Sequence, residues 1–300
     1  MKNPVCDELL QYQPTNTENE NLRSWYIANS VFNAFLAITA IIFNSVAIQA
    51  LRKTPSLPKP LKTLLLSLAV SDLGVGLLVE PFYFWLLVKW LQRENSSSCT
   101  ALLVISYLFA ASSFFGVMAL SGDRFLAVHL HLRYQELVTS KRVVAVVISI
   151  WMFSAFVSLF CLLVSPDISY IVSAFIVVVG LVLSAMLYFK IYFAVRRHRH
   201  QIQALQVAQN NQINAARLRN SAVGTFYVYL VFLLCCLPQF CSFTVLAIFD
   251  FSTGVKVLVI SSNTLLFLNS SLNPVIYCWK MRQIRRAVMD IVRNLVQSQS

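Results

Sequence analysis

Seven long runs of apolar residues, separated by short polar segments, dominate the chain. A helix needs about 20 mostly apolar residues to cross the hydrocarbon core of a membrane, and each run is long enough. The pattern therefore predicts seven membrane-spanning helices, with no soluble domain or internal repeat between them. The predicted spans are Trp25–Leu51, Leu61–Val88, Thr100–Val128, Val143–Val164, Tyr170–Val195, Ala222–Phe249 and Val255–Cys278.

The two ends of the chain differ from the spans. The first 23 residues are polar and acidic and lack the features of a signal peptide, so the first span is expected to serve as the insertion signal. Residues Trp279–Val296 alternate apolar with basic residues, which is typical of an amphipathic helix on the inner leaflet. We therefore predict an all-α membrane protein, a seven-helix transmembrane bundle (24–279) between an extracellular tail (1–23) and a short amphipathic eighth helix with a cytoplasmic tail (280–300).

The composition and the charge distribution agree with a membrane protein. Hydrophobic residues make up 58% of the chain and charged residues 12%, against about 45–50% and about 25% in soluble domains. With the N-terminus outside, every Lys and Arg except Lys2, Arg23, Lys89, Arg93 and Lys256 falls on the cytoplasmic side. The positive-inside rule therefore predicts a multi-pass plasma-membrane protein with an extracellular N-terminus. The basic rim that gives the net charge of +12 is expected to face anionic membrane lipid rather than nucleic acid.

Several ionisable and amide side chains lie inside the predicted spans, where such groups are expensive and mark functional candidates. They are Asn44, Asp72, Asp123, Arg124, Asn269 and Asn273. One buried amide can simply bond one helix to another, a contribution of about 0.6 kcal/mol. That interpretation suits any single amide, but the sequence around the whole set favours a shared function.

The order and spacing of these residues resemble the rhodopsin-like (class A) G-protein-coupled receptors, over about Asn29 to Val288. Any one of the matching motifs is weak, but together they are very specific. The matches are Asn44; Leu68-Ala69-x-x-Asp72 and Pro81; Cys99, Asp123-Arg124-Phe125 and Leu132-Arg133-Tyr134; Trp151; Tyr188; Phe232 and Cys235-Cys236-Leu237-Pro238; and Asn273-Pro274-Val275-Ile276-Tyr277.

The resemblance implies three sets of working residues. An activation switch would use Asp123, Arg124, Tyr188, Phe232, Pro238, Asn273, Pro274 and Tyr277. An internal sodium site, with no other cofactor, would use Asp72, Ser113, Asn269 and Asn273. Contacts with a heterotrimeric G protein would come from Arg124, Val128 and Leu132. Arrestin is a further partner that the family implies, although the cytoplasmic tail is short.

The chain departs from the family pattern at three switch positions. The usual Trp of span six is Cys236, so Phe232 or Phe240 is expected to couple ligand contact to helix movement. The usual Pro of span five is Gly180. The acid that often holds the switch arginine from the foot of span six is Leu218. Because one resting-state restraint on the arginine is missing, we expect substantial signalling without ligand.

The outer loops carry two further expectations. The second outer loop, Ser165–Ser169, is short and has no cysteine, so Cys99 either pairs with Cys6 or remains a free thiol. The triplet that begins at Asn95 is a glycosylation acceptor on an outer loop, and we expect Asn95 to be glycosylated.

The short second loop looks most like the melanocortin, adenosine, cannabinoid and lysophospholipid branch. The adenosine-type contacts of spans six and seven are replaced by Phe243 and Phe267, and the amine-receptor aspartate of span three is Ser106. The pocket that the resemblance implies is aromatic with one acid, although ordinary helix packing can also produce such an aromatic stripe. It consists of Glu80, Phe82, Tyr83, Ser106, Tyr107, Ala110, Gln239, Phe240, Phe243 and Asn263. Its unidentified ligand is either a peptide or amine anchored on Glu80, or a lipid-like molecule.

Other classes of membrane protein fit the sequence less well. A channel needs a polar or charged line of pore residues, and a transporter usually has paired broken segments in repeated halves; neither pattern is present. The chain also lacks HExxH, GxSxG and clustered His or Cys metal ligands, so we do not expect an enzyme.

Overall fold

Eight long helices make up most of the computed structural model, which describes residues 12–14, 20–92, 99–130, 133–204, 209–248 and 252–297. The helices are α1 (Glu20–Lys53), α2 (Lys59–Gln92), α3 (Cys99–Leu130), α4 (Ser140–Leu163), α5 (Pro166–Ala204), α6 (Gln209–Ile248), α7 (Thr253–Lys280) and α8 (Arg282–Gln297). A single helical turn at Tyr134–Leu137 follows α3, and a π-helical segment at Val75–Val79 interrupts α2.

The predicted bundle of seven spans is confirmed. Seven helices in the described parts of the chain are long and apolar enough to cross a membrane, and these parts contain no strand. Many large apolar side chains of α4 and α5 point away from the bundle, and Leu163 and Phe175 are among the most exposed. Apolar surface on this scale is stable only against lipid.

The helices run beyond the predicted spans. Helix α5 continues to Ala204 and α6 already begins at Gln209, because residues such as Gln, Ala and Arg sustain a helix after the apolar run has ended. The second outer loop is also shorter than predicted, since α5 begins at Pro166. A proline is favoured in the first turn of a helix.

Two buried apolar clusters divide the bundle along its length. We call the side that holds Glu20 and the α4–α5 connection the outer side, and the side that holds Lys53 and α8 the inner side, following the orientation that the charges predict. The outer cluster includes Tyr26, Leu87, Trp90 and Ile260. The inner cluster includes Leu65, Leu120, Val228, Tyr277 and Ile284. The candidate site lies between and around these clusters.

The amphipathic helix is present but begins later than predicted. Helix α7 continues through Lys280, and Met281 then leaves the helical conformation before α8 starts at Arg282. Ile284 and Ile291 of α8 are buried in the inner cluster. Trp279 and Val292 are exposed on the outside of the bundle, where an amphipathic helix contacts the membrane interface.

Candidate functional site

Two of the family positions bond helix to helix. The Asn44 side-chain amide donates to the backbone carbonyls of Ala40 and Ser270, 2.9 Å each, and so ties α1 to α7. The Trp151 indole N–H of α4 donates to the Ser67 hydroxyl of α2 at 3.1 Å. These bonds position the polar residues around them.

The fully buried carboxylate of Asp72 is the centre of a polar cluster between α2, α3 and α7. The Asn273 amide donates to Asp72 Oδ2 at 2.8 Å, and the Ser113 hydroxyl donates to Oδ1 at 3.5 Å. The side-chain oxygens of Asn269 and Asn273 are also buried, and the described residues offer them no hydrogen bond. Carboxylate and amide oxygens are the ligands that hard cations prefer. The residues that the sequence singled out for sodium therefore offer a suitable set of oxygen atoms.

Arg124, to which the resemblance assigns the switch role, lies at the inner end of α3 and is 2% exposed. Arg124 Nε donates to Asp123 Oδ2 at 3.0 Å, and Nη2 contacts the same oxygen. The Tyr134 hydroxyl donates to the other oxygen, Asp123 Oδ1, at 2.6 Å. Burial, with help from the Asp123 carboxylate, raises the pKa of the Tyr134 hydroxyl well above its usual value. This partner was not predicted, although the loop motif that contains Tyr134 was recognised.

Two contacts hold the inner end of α6 against its neighbours. The Tyr188 hydroxyl of α5 donates to the backbone carbonyl of Thr225 at 2.9 Å. The Lys280 ammonium of α7 lies 3.9 Å from the centre of the Tyr227 ring and 3.4 Å from that of Trp279. A cation over an aromatic face is attracted to it. The cation–π contact between α6 and α7 had no signal in the sequence, because it depends on how the two helices meet.

Phe232 of α6 packs against Phe114 of α3, with 5.9 Å between ring centres. Gly180 of α5 makes room for this pair, since a methyl group there would overlap the Phe114 ring and lie 2.7 Å from Met118 Sδ. The proline usual at this position would meet the same obstruction. Phe232 and Phe240 both line the central cavity, so either remains a candidate for the coupling role.

A cavity of about 300 Å³ opens between the helices on the outer side of the bundle. Neither an acidic nor a basic side chain is among its described lining residues. Its inner end reaches Ser113 and Asn269 of the Asp72 cluster, and Phe232 of α6. Seven of the predicted pocket residues line it, namely Tyr83, Ser106, Tyr107, Ala110, Gln239, Phe240 and Asn263.

Glu80 and Phe82 are not among the lining residues, contrary to the sequence-based expectation. The π-helical turn just before Glu80 changes the register, so that Val79 and Tyr83 face the cavity instead. A methyl group at Gly76, one turn earlier, would lie 3.0 Å from Ala40 Cβ of α1. Glu80 is close enough to Asp72 for the two acids to interact electrostatically. Its carboxylate is fully buried and accepts no hydrogen bond from the described residues.

Some predicted residues lie outside what the structure describes. Residues Cys6, Asn95 and Leu132 are in undescribed segments, and the side chains of Cys99, Leu218 and Phe243 are not described either. Their proposed roles stay predictions. Val128 is buried in the inner cluster, so a partner protein can contact it only after the surrounding helices separate. The cysteines of the apolar runs are free thiols: Cys161, Cys235, Cys236, Cys241 and Cys278.

Comparisons with known proteins give one family over most of the chain. The family model described as "7 transmembrane receptor (rhodopsin family)" matches residues 43–277. The adenosine receptor A3 of Ovis aries is 24% identical, with 88% of this chain and 89% of that protein covered. The adenosine receptor A2b of Gallus gallus is also 24% identical, with 89% and 88% covered.

A shorter stretch is similar to an adrenergic receptor. The alpha-2B adrenergic receptor of Cavia porcellus is 32% identical over 135 residues, which is 42% of this chain and 28% of that protein. The family match, in contrast, spans the predicted motifs from Asn44 to Tyr277. The chain therefore belongs to the rhodopsin family of seven-transmembrane receptors.

Proposed function

We propose that this receptor converts the binding of an extracellular ligand into activation of a heterotrimeric G protein. The observation that carries the proposal is one continuous path through the bundle. The cavity begins on the outer side and ends on Phe232 of α6, which packs against Phe114. Further inward, the same helix is held by Tyr188, near the buried Arg124. A ligand that displaces Phe232 would therefore move the helix that covers the arginine.

The inner side of the bundle is where the G protein would bind. Pro238 lies inside α6 and leaves one backbone carbonyl without its helical donor, which makes a hinge for outward movement. Such a movement would uncover Val128 and release Arg124 toward Tyr188 and Tyr277. The basic residues cluster on this side, which supports a cytoplasmic inner side, an extracellular N-terminus and a plasma-membrane location.

A sodium ion at Asp72 would stabilise the resting state. The Asp72 carboxylate and the amide oxygens of Asn269 and Asn273 would hold the ion, with the Ser113 hydroxyl beside them. The ion would offset the cost of a carboxylate in the membrane interior. The cavity reaches Ser113 and Asn269, so a ligand and the ion would influence each other through shared residues.

The cavity supports an uncharged aromatic or apolar ligand group over an amine. An amine needs an acidic partner, and Glu80 is not among the residues that line the cavity. The relatives include adenosine receptors, but the position of the adenosine-type contact in span seven holds Phe267, whose ring packs edge-on against Tyr83 at 5.1 Å. That apolar contact fills the place where a polar adenosine contact would be made.

A compound screen with two matched variants tests this function. Compounds that change G-protein activation should have an uncharged aromatic or apolar group, and Ser106→Trp should abolish their effect because the indole fills the cavity. Ile171→Trp adds the same group on the exposed face of α5 and should respond as the wild type does. The proposal is contradicted if no compound alters G-protein activation, or if Ser106→Trp responds normally.

The Lys280 cation–π contact should restrain α6 in the resting receptor. Lys280→Met removes the cation but keeps the length of the side chain, and should raise ligand-free G-protein activation about fivefold, the equivalent of about 1 kcal/mol. Lys280→Arg keeps a cation over the Tyr227 ring and serves as the control. The measurement is G-protein dissociation at matched surface expression. Equal activity of Lys280→Met and the wild type would show that the Lys280 contact does not restrain α6.

A further inference from the structure

A short segment of the N-terminal tail lies across the mouth of the cavity. The side chain of Tyr12 is only 4% exposed and forms part of the cavity wall. Its ring stacks on Trp90 at the outer end of α2, with 6.0 Å between ring centres and 24° between planes. A tail that was merely solvated would not bury a tyrosine in this way.

The backbone of the same segment is held from two other helices. The Tyr26 hydroxyl of α1 donates to the carbonyl of Tyr12, and the Lys256 ammonium of α7 donates to the carbonyl of Gln13 at 2.8 Å. Tyr26 is fully buried and Lys256 is 3% exposed. The segment thus contacts α1, α2 and α7, and the last two of these helices contribute Trp90 and Val259 to the cavity wall.

The burial of Lys256 is the informative feature. A lysine near the end of a membrane helix ordinarily extends its ammonium to the water. Here the ammonium is withdrawn from solvent and donates to a backbone carbonyl, a charge-assisted bond that is stronger than a neutral one. An aromatic side chain in a pocket, together with paired backbone carbonyls, is how a protein recognises a peptide.

We propose that Tyr26, Trp90 and Lys256 form a peptide-binding site beside the mouth of the cavity, and that its occupant is the chain's own segment of residues 12–14. The segment is joined to α1 by a short stretch, so its effective concentration at the mouth is high and modest contacts keep the site filled. It acts as a tethered ligand that a diffusible ligand must displace. This inference deepens the proposed function, because it names an aromatic peptide as the ligand class of the same cavity.

Cysteine labelling measures whether the segment closes the mouth. Ser106→Cys puts a thiol on the cavity wall, and a small charged methanethiosulfonate reagent is applied to intact cells. Tyr12→Ala or Lys256→Met should each speed the modification of this thiol about tenfold, because each removes one anchor of the segment. Arg23→Met removes an exposed cation from the first turn of α1 and should leave the rate unchanged. The same variants with Ser106 retained give the background from native thiols, including Cys236 in the cavity wall.

A synthetic peptide provides the second arm. A capped peptide with the sequence of residues 10–15, added to the Tyr12→Ala receptor, should restore slow labelling, and a peptide that carries alanine at the Tyr12 position should not. Equal labelling rates in the wild type, Tyr12→Ala and Lys256→Met would overturn the proposal, as would a peptide that gives no protection. Labelling needs no G protein, so this inference and the proposed signalling function can fail separately.

Discussion

Replacing Leu218 with glutamate should lower ligand-free G-protein activation by about five- to thirtyfold, the equivalent of about 1–2 kcal/mol. Leu218 lies on α6, two helical turns inward of Thr225, whose carbonyl is held by Tyr188. By resemblance to the family, an acid at this position would hold Arg124 from α6. In the wild type, Arg217 and Arg219 flank Leu218. Their positive charge would repel Arg124 rather than hold it.

The other restraints determine how active the wild type is. Asp123 still pairs with Arg124 and also accepts a hydrogen bond from Tyr134. The Lys280 contact still joins α7 to α6. Removing only the α6 acid would raise a minor active population to a measurable level rather than make it dominant.

The experiment compares three receptors at matched surface expression with no ligand added. Leu218→Gln is the control, since it adds a polar group of similar size without the charge. The wild type and Leu218→Gln should signal measurably, and Leu218→Glu should be much weaker. A silent wild type, or a Leu218→Glu receptor as active as Leu218→Gln, would show that the missing acid does not set the basal activity.

Asp72→Asn should abolish the sensitivity of G-protein activation to sodium. The Asp72 carboxylate supplies the only negative charge that the described part of the cluster brings within hydrogen-bonding distance of Asn273 and Ser113. Sodium opposes activation only if it binds the resting state better than the active one. The neutral amide of the variant removes that difference, because it cannot balance the charge of the ion.

Glu20→Gln is the matched control for this prediction. Glu20 is an exposed acid at the outer start of α1, whereas the buried Glu80 interacts electrostatically with Asp72 and is unsuitable. Activation is measured with membranes in sodium chloride or potassium chloride at equal ionic strength. Wild type and Glu20→Gln should be less active in sodium, and Asp72→Asn should be equally active in both salts. Unaltered sodium dependence in Asp72→Asn would place the ion elsewhere or remove it.

The sequence was sufficient for the bundle but not for the ends of its helices. The length of an apolar run reflects the thickness of the membrane, so the seven runs predicted seven spans. Helix α5, however, continues through polar residues to Ala204, and α6 begins in polar sequence at Gln209. Hydropathy carries no information about where a helix stops in water. The start of α8 at Arg282 depends on the backbone turn at Met281, which the alternating pattern of residues did not reveal.

For the candidate site, side chains whose position follows from regular helix geometry were found and the others were missed. Asp72 and Asn273 are brought together by ordinary packing of α2 against α7, as their motifs implied. Glu80 was assigned to the pocket because the sequence does not show the wide π-helical turn at Val75–Val79. Gln13 and Lys256 are far apart in the chain, and their hydrogen bond forms only because the tail segment folds back onto α7.

Nucleotide exchange with purified components measures directly whether this receptor activates a G protein. The receptor in lipid nanodiscs is mixed with purified heterotrimeric G proteins of each Gα class, and binding of a non-hydrolysable GTP analogue is followed without ligand. We expect the wild type to accelerate exchange on at least one class and Arg124→Ala to leave the exchange rate unchanged. Exchange rates that equal those with empty nanodiscs for every class, or an Arg124→Ala receptor as active as the wild type, would contradict the proposed function.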